Sequence, residues 1–227
     1  MKILVVEDKE MHRRAAEETL VGHELTIVKS FDEAMALMRE RIDEAKMQQL
    51  MAEAGFSGQI IPGRWDDYSA ARTKAEAASV IPFPFEAVLT DMMMPMGMRE
   101  TLFDAFNPAE QVPYGFVIAL KAALRGARFV AVVTDTNHHK GAMSAALDHF
   151  GGREFEHNHS NFVINGAKAI FVHTPFIKEC VGKKPCEYSK CTEPGVLCSG
   201  CKGTREVDDI RWERKDWGKV LAALIAS

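Results

Sequence analysis

Short apolar runs recur along this chain and are separated by longer stretches with helical spacing. The runs over 2–7, 86–91 and 127–134 have the length and continuity of parallel strands that are buried on both faces. A further strand is predicted over 23–29, where apolar and polar residues alternate, and another over 166–173. The pattern of apolar positions therefore predicts five strands.

Amphipathic stretches between these strands predict helices. Ser30 and Glu33 form a capping-box pattern, and the helix that Ser30 opens keeps an apolar face as far as Gly55. Asp8 is the predicted N-cap of the first helix, and Gly126 is expected to end a later one. The predicted helices cover 9–20, 30–55, 68–78, 114–125, 138–150 and 217–226.

The alternation of strands and helices predicts an α/β fold, with a doubly wound, five-stranded parallel sheet and right-handed crossovers. The 227 residues are expected to form a single domain over 1–227. Segments that lack clear periodicity are expected to be insertions in this domain. They lie at 57–85, 96–113 and 151–165, and a cysteine-rich module is predicted at 178–215.

Composition and charge exclude several classes of protein. Hydrophobic residues make up 47% of the chain, which is ordinary for a globular protein, and the net charge of −4 offers no basic footprint for nucleic acid. No apolar run approaches the ~20 residues that a membrane span needs. The start, MKILVVED, is too short and too soon acidic for a signal peptide, so a cytoplasmic protein is expected.

All five cysteines lie between Cys180 and Cys201. An odd, clustered set in a chain without a secretion signal favours metal binding in a reducing compartment over disulfides. Four thiolates would bind structural Zn²⁺ tetrahedrally and would supply folding energy to a segment with few apolar residues. Disulfides or an iron–sulfur cluster are the alternatives, and Cys180 could replace one ligand. The predicted zinc ligands are Cys186, Cys191, Cys198 and Cys201.

Acidic and hydroxyl side chains stand where three of the predicted strands end. Glu7 and Asp8 follow the first strand, Asp91 ends the strand over 86–91, and Thr134 ends the next one. Because the carboxyl ends of parallel strands form one rim of the sheet, these side chains are expected to lie together. Crowded carboxylates repel one another unless a cation compensates, and Mg²⁺ prefers such oxygen ligands. Since Asp can also accept a phosphoryl group covalently, the rim is a candidate phosphoryl-transfer site.

This combination of motifs resembles the receiver domain of two-component response regulators, and it implies that family's flavodoxin-like fold. Receivers have an acidic pair after the first strand, an Asp followed by x-x-Met-Pro after the third, and a Ser or Thr after the fourth. The matching residues are ILVVED at 3–8, SFDEAM at 30–35, DMMMP at 91–95, Gly115 near the start of a helix, and VVT at 132–134.

The resemblance implies that Asp91 is phosphorylated by a histidine kinase or a phosphotransfer protein. Glu7 and Asp8 would hold Mg²⁺ together with Asp91 and the backbone carbonyl of Met93, and Thr134 would bind the phosphoryl group. Any enzymatic activity would be at most the phosphoacceptor and autophosphatase activity of a receiver. The output would come from binding to an unidentified protein partner.

The sequence departs from the receiver pattern after the last predicted strand, where receivers carry a Lys-Pro pair whose lysine contacts the phosphoryl oxygens. Here the comparable residues are His173-Thr174-Pro175. Either His173 replaces the lysine, or Lys178 reaches back, or the role is lost. Asp135 is also unusual, because a small residue normally follows the hydroxyl. Three functions stay open. The first is a stand-alone phosphoacceptor regulator, and the second is a receiver-like adaptor that needs no phosphorylation and docks proteins through its zinc loop. The third is nucleic-acid binding through the cysteine-rich module.

Overall fold

A six-stranded sheet is the centre of the fold, in a computed structural model that describes residues 1–56, 63–98, 110–135, 161–185 and 206–226. The strands are β1 (Lys2–Val6), β2 (Glu24–Val28), β3 (Ala87–Asp91), β4 (Met94–Pro95), β5 (Gln111–Val112), β6 (Phe129–Thr134), β7 (Asn161–Ile164), β8 (Ala167–His173), β9 (Phe176–Pro185) and β10 (Glu206–Lys215). The helices are α1 (Glu10–Thr19), α2 (Phe31–Leu37), α3 (Glu44–Glu53), α4 (Trp65–Ala78), α5 (Tyr114–Leu124) and α6 (Trp217–Ala226).

The strands of the central sheet follow the order β2-β1-β3-β6-β8-β7. Neighbours among the first five are parallel, and β7 is antiparallel to β8. The predicted α/β class and a mostly parallel sheet are therefore confirmed. The sheet has one strand more than predicted, and that strand lies at its edge.

Helices cover both faces of this sheet. On one face, α1 and α6 pack against alternate residues of β1, such as Ile3 and Val5, through a core that includes Trp217 and Leu221. On the other face, α2 and α5 pack against the intervening residues, such as Leu4. Because successive side chains of a strand point to opposite faces, each apolar run in the sequence contributes side chains to both cores.

The extra strand, β7, arises within a segment that was predicted to be an insertion, 151–165. Asn165 and Gly166 connect β7 to β8 with φ values of +50° and +82°. Asn-Gly with two positive φ angles is typical of a two-residue turn in an antiparallel hairpin. The prediction of five strands was wrong here because the local turn signal at Asn165-Gly166 was not used.

The predicted helix over 30–55 is two helices. The capping box at its start is present, since the Ser30 side chain accepts a hydrogen bond from the Glu33 amide, but α2 ends at Leu37. The chain then forms a bridge between Ile42 and Val80, which uses backbone groups that a continuous helix would need. Asp43 caps α3 by accepting a hydrogen bond from the amide of Lys46.

Helices α3 and α4 form a small cluster of their own, with Met51, Phe56 and Ala75 buried between them. The predicted helix over 68–78 is therefore present as the longer α4, and the region 57–85 is less loop-like than expected. The insertion starts earlier than predicted, because α3 packs on α4 and belongs to the same unit.

The cysteine-rich region is framed by a long antiparallel hairpin of β9 and β10. The four predicted zinc ligands, Cys186, Cys191, Cys198 and Cys201, lie outside the described residues, as do the predicted helix over 138–150 and most of the segment 96–113. Cys180 is described, and it is an exposed residue of β9 with a free thiol. No helix in the described part of the chain is long and apolar enough to cross a membrane.

The start of α5 lies directly against the end of β3. The amide of Gly115 donates a hydrogen bond to the carbonyl of Met92 at 3.1 Å. A Cβ atom at Gly115 would lie 2.2 Å from the carbonyl oxygen of Asp91, which is far inside van der Waals contact. Glycine is needed at this position because the backbone of β3 occupies the space that a side chain would fill.

We expect the Gly115→Ala substitution to lower the free energy of unfolding by about 1–3 kcal/mol, the usual range for overpacking. This loss would occur although Ala has the higher helix propensity by ~1 kcal/mol. Urea unfolding measures it, with Ser69→Ala on the exposed side of α4 as the control. A Gly115→Ala protein as stable as the wild type would show that α5 can move away from β3.

Candidate functional site

Three acidic side chains meet at the carboxyl edge of the central sheet. Glu7 and Asp8 follow β1, and Asp91 is the last residue of β3, which is the neighbour of β1. One carboxylate oxygen from each of the three residues lies within 4.8 Å of the others. Thr134, the last residue of β6, is buried at the same edge. The parallel pairing of β1, β3 and β6 brings these residues together.

The three acids fit a hard divalent cation. All their donor atoms are carboxylate oxygens, which Mg²⁺ prefers. The Oδ1 atom of Asp8 is buried and has no hydrogen-bond partner within the part of the chain that the structure describes. A buried carboxylate oxygen without a partner is unfavourable, and a bound cation would satisfy it. Met93, the other predicted ligand, follows Asp91 by two residues in the loop after β3.

A buried lysine lies among these acids. The Lys215 side chain is 0% exposed, and its Nζ atom is 2.6 Å from Oε2 of Glu7 and 2.8 Å from Oδ1 of Asp91. The contact with Glu7 is a charge-assisted hydrogen bond, and the contact with Asp91 is an ion pair. Lys215 is one positive charge beside three acidic side chains, so oxygens such as Oδ1 of Asp8 stay available to a bound cation.

The β9–β10 hairpin brings Lys215 to this place. Lys215 is the last residue of β10 and is paired with Phe176, the first residue of β9. One residue further, the amide of Asp216 donates a hydrogen bond to the carbonyl of Pro175 at 2.8 Å. The hairpin thus leaves the sheet directly after β8 and returns to the same point. Lys215 therefore lies close in space to the end of β8, although the whole hairpin separates the two in sequence.

Neither predicted substitute for the receiver lysine occupies this position. Lys178 forms an ion pair with Glu213 at 2.9 Å on the hairpin. His173 ends β8, which is separated from β3 by β6. The prediction considered only lysines and histidines close to β8 in sequence, whereas the ammonium that contacts Glu7 and Asp91 comes from Lys215. No local signal marks Lys215 in the sequence, where it lies in the charged stretch RWERKDW.

Asp135, the unusual residue after Thr134, forms a second cluster beside the acids. Its Oδ2 atom is 2.5 Å from Nζ of Lys9 and 3.0 Å from Nε2 of His12. Burial alone would raise the pKa of the Asp135 carboxyl, but the hydrogen bond from His12 and the charges of Lys215 and Lys9 hold that pKa below its usual range. Asp135 is therefore an ionised acid with its own cations.

Burial outweighs the neighbouring positive charge at the two acids that Lys215 contacts. Burial raises the pKa of Glu7 to about 8 although the ammonium of Lys215 acts to lower it, and the nearby Asp91 adds to the rise. Burial likewise raises the pKa of Asp91 above its usual range. Burial would lower the pKa of Lys215, but the charges of Asp91 and Glu7 outweigh it, so this pKa is raised and the lysine stays charged.

Arg13 holds the loop that carries Glu7 and Asp8. Its Nη1 atom donates hydrogen bonds to the backbone carbonyls of both residues. The backbone amide of Lys9 also donates to Oε1 of Glu7 at 3.0 Å. The turn between β1 and α1 is thus organised around the acidic pair. Asp8 does not cap α1 as predicted, because the N-cap position belongs to Lys9 and Asp8 lies in the acidic cluster.

No protein-family model matches this chain, and neither the curated proteins nor the solved structures contain a match.

We expect the metal-free protein to lose stability as the pH rises from about 5 to about 8. The folded protein keeps a proton on Glu7 up to about pH 8, whereas the unfolded chain releases it near the ordinary value of 4.5. The unfolded state therefore binds fewer protons in this window, and the free energy of unfolding falls with pH. Urea unfolding in the presence of a chelator measures this slope.

The Glu7→Gln substitution should make this slope smaller, and the remainder would come from Asp91. Glu17→Gln, on the exposed side of α1, is the matched control and should leave the slope unchanged. An equal slope in the wild type and in Glu7→Gln would mean that Glu7 titrates as an ordinary exposed acid.

Proposed function

We propose that this chain is a phosphoacceptor protein of the receiver type, in which Asp91 accepts a phosphoryl group in a Mg²⁺-dependent reaction. The observation that carries the proposal is the ammonium of Lys215 held between Glu7 and Asp91. Lys215 would supply the cation that receivers carry after the corresponding strand. With Thr134 at the end of the next strand, the edge would then offer the carboxylates, the ammonium and the hydroxyl on which the proposed reaction depends.

The strand order supports the same proposal. The five parallel strands follow the order β2-β1-β3-β6-β8, which is the doubly wound order of flavodoxin-like proteins once strands are counted along the parallel sheet alone. In such sheets, ligands bind beyond the carboxyl ends of the strands, where the order changes direction. Here that change falls at β1 and β3, the two strands that carry the acids.

The proposed reaction moves a phosphoryl group from a nitrogen of a donor histidine to a carboxylate oxygen of Asp91. The bond between phosphorus and nitrogen breaks as the bond between phosphorus and oxygen forms. The donor histidine, which carries a proton on its other ring nitrogen, takes the bonding electron pair and leaves as neutral imidazole. Mg²⁺, when held by Glu7, Asp8 and Asp91 with the carbonyl of Met93, would neutralise charge on the phosphoryl oxygens.

In this proposal Lys215 and Thr134 act on the phosphoryl group itself. Lys215 would exchange its contact with Asp91 for an ion pair with a phosphoryl oxygen, because an aspartyl phosphate presents more negative charge than the carboxylate does. The hydroxyl of Thr134 would hydrogen-bond a second oxygen. Positioning and charge neutralisation account for the rate, as in other phosphoryl transfers.

The proposed donor is a histidine kinase or a phosphotransfer protein, and the proposed output is binding to a protein partner. Structural zinc at Cys186, Cys191, Cys198 and Cys201 would be part of that output, because these residues lie between β9 and β10 in the sequence. Strands β9 and β10 flank this segment in the sequence, and β10 ends in Lys215. A partner bound to the hairpin would thus be connected to the acidic site through a continuous strand.

A phosphorylation-independent adaptor is the second candidate function. The observation that favours it is the burial of Asp91, which is 2% exposed and already paired with Lys215. In such an adaptor the ion pairs among Glu7, Asp91 and Lys215 would only stabilise the fold, and the hairpin would be the docking surface. The two functions differ in whether Asp91 can react.

We expect incubation with acetyl phosphate and Mg²⁺ to add one phosphoryl group to the wild-type protein, measured as intact mass. Asp91→Asn should abolish the adduct, because the amide is a poor nucleophile for phosphorus. Asp66→Asn, at an exposed site on α4, is the matched control and should leave the adduct intact. No adduct on the wild type, under conditions that label a known receiver, would favour the adaptor.

We also expect Lys215→Met to slow phosphorylation by about a hundredfold, the usual effect of removing one group that stabilises developing charge. Lys178→Met, which removes the other lysine considered for this role, should change the rate little. The measurement is the initial rate of adduct formation at fixed donor concentration, with circular dichroism to show that each variant is folded. A slower reaction in Lys178→Met than in Lys215→Met would assign the role to Lys178.

A further inference from the structure

His12 is a buried polar residue that the proposed reaction leaves without a role. It lies on α1, is 2% exposed, and contacts three other parts of the chain. Its Nδ1 atom accepts a hydrogen bond from the backbone amide of Lys215 at 3.2 Å. Its Nε2 atom lies 3.0 Å from Oδ2 of Asp135, and its carbonyl accepts a hydrogen bond from Nε1 of Trp217 at 3.0 Å.

These contacts determine which ring nitrogen carries hydrogen. A backbone N–H can only donate, so Nδ1 of His12 must accept and cannot be protonated. The hydrogen of the neutral ring is then on Nε2, which donates it to the carboxylate of Asp135. Both nitrogens are satisfied in one tautomer, and the ring connects the backbone of Lys215 to Asp135.

We propose that His12 is a positioning residue for Lys215: it fixes the backbone of Lys215 so that the ammonium reaches Glu7 and Asp91. The effect on phosphoryl transfer rests on the proposed function, whereas the effect on the position of Lys215 does not.

The pairing of β9 with β10 attaches Lys215 to the hairpin but not to the helix that follows the acidic pair. Lys215 pairs with Phe176 at the end of a regular register that begins at Trp212, and the register shifts of β10 lie before this stretch. The contact with α1 therefore supplies a second attachment, at the residue whose side chain enters the acidic cluster.

His12 also binds a fourth carboxylate beside the acidic cluster. Asp135 follows Thr134 directly, so its carboxylate lies at the same edge of the sheet as the three clustered acids. His12 and Lys9, both at the start of the first helix, bind the same Oδ2 atom. Asp135 is thus attached to α1, while the ammonium of Lys215 contacts Glu7 and Asp91.

An apolar side chain of similar size could fill the space of the ring but could not replace these contacts. It would leave the backbone amide of Lys215 without its acceptor and the carboxylate of Asp135 without the hydrogen bond from His12. Losing such a partner away from solvent is unfavourable. The positions of the two ring nitrogens, and not only the volume of the ring, are thus what the proposal requires.

The first test uses the wild-type chain with its histidines labelled with ¹⁵N. The ring resonances of His12 should show a neutral ring with hydrogen on Nε2, and Nδ1 should show coupling across the hydrogen bond to the Lys215 amide. Hydrogen on Nδ1 would overturn the proposal, because that nitrogen could not then accept a bond from Lys215. This test needs no substitution.

The second test compares three substitutions that keep different atoms. His12→Asn keeps an acceptor near the place of Nδ1, His12→Gln keeps a donor near the place of Nε2, and His12→Leu keeps neither. We expect His12→Asn to retain slow hydrogen exchange at the Lys215 amide and a phosphorylation rate within about threefold of the wild type. His12→Gln and His12→Leu should lose the protection and slow the reaction about tenfold to a hundredfold, as expected for a displaced reacting group.

A purely structural role for His12 predicts a different order. In that case the rates would follow the thermal stability of the variants, and His12→Asn would be no better than His12→Gln. That result would overturn the proposal. If the wild type accepts no phosphoryl group, the proposed function fails, and exchange at the Lys215 amide in the same variants still decides whether His12 positions the lysine.

Discussion

An ammonium group held between two buried carboxylates is the constraint on which the rest of this structure depends. Lys215 joins the loop after β1, the end of β3 and the base of the β9–β10 hairpin at one point. Removing one member of a buried ion pair leaves the others uncompensated, at a cost of about 3–5 kcal/mol. The three parts of the chain must therefore adopt their positions together.

The surroundings of Lys215 are built to keep it there. Trp217 begins α6 two residues later, is completely buried, and donates a hydrogen bond to the backbone of His12. Gly218 lies so close to α1 that a Cβ atom would be 2.5 Å from the carbonyl oxygen of Thr19. The end of the hairpin is thus packed tightly on α1, the helix that follows the acidic pair. The acidic site and the core on this face of the sheet share the same contacts.

The insertions leave the acidic edge intact because each one departs from the sheet and returns close to where it left. The unit of α3 and α4 is closed by the bridge between Ile42 and Val80. Strands β4 and β5 pair with each other on either side of the segment that follows β3. The hairpin of β9 and β10 ends where β8 ended. A loop whose ends are close together adds length without changing the order of the parallel strands.

Patterns along the sequence were sufficient for the parts of this protein that depend on near neighbours. The apolar runs predicted β1, β3, β6 and β8, the Ser30–Glu33 pair predicted the start of α2, and the turn at Asn165-Gly166 contained the signal for β7. The acids at the ends of β1 and β3 were also predicted to meet, because parallel strands place their carboxyl ends on one edge. These features follow from periodicity, capping and strand direction, which all act over a few residues.

The tertiary structure alone decided which cation joins those acids. Lys215 contacts Glu7 across 208 positions of sequence, and nothing in the residues around Lys215 distinguishes it from a lysine on the surface. Its position depends on where the hairpin returns, and its burial depends on the packing of α6 against α1. His12 and Asp135 are similar, since they lie 123 positions apart and meet only in the folded chain, where His12 is on α1 and Asp135 follows β6. Which charges pair across long sequence distances depends on the tertiary fold, and local sequence pattern carries no information about it.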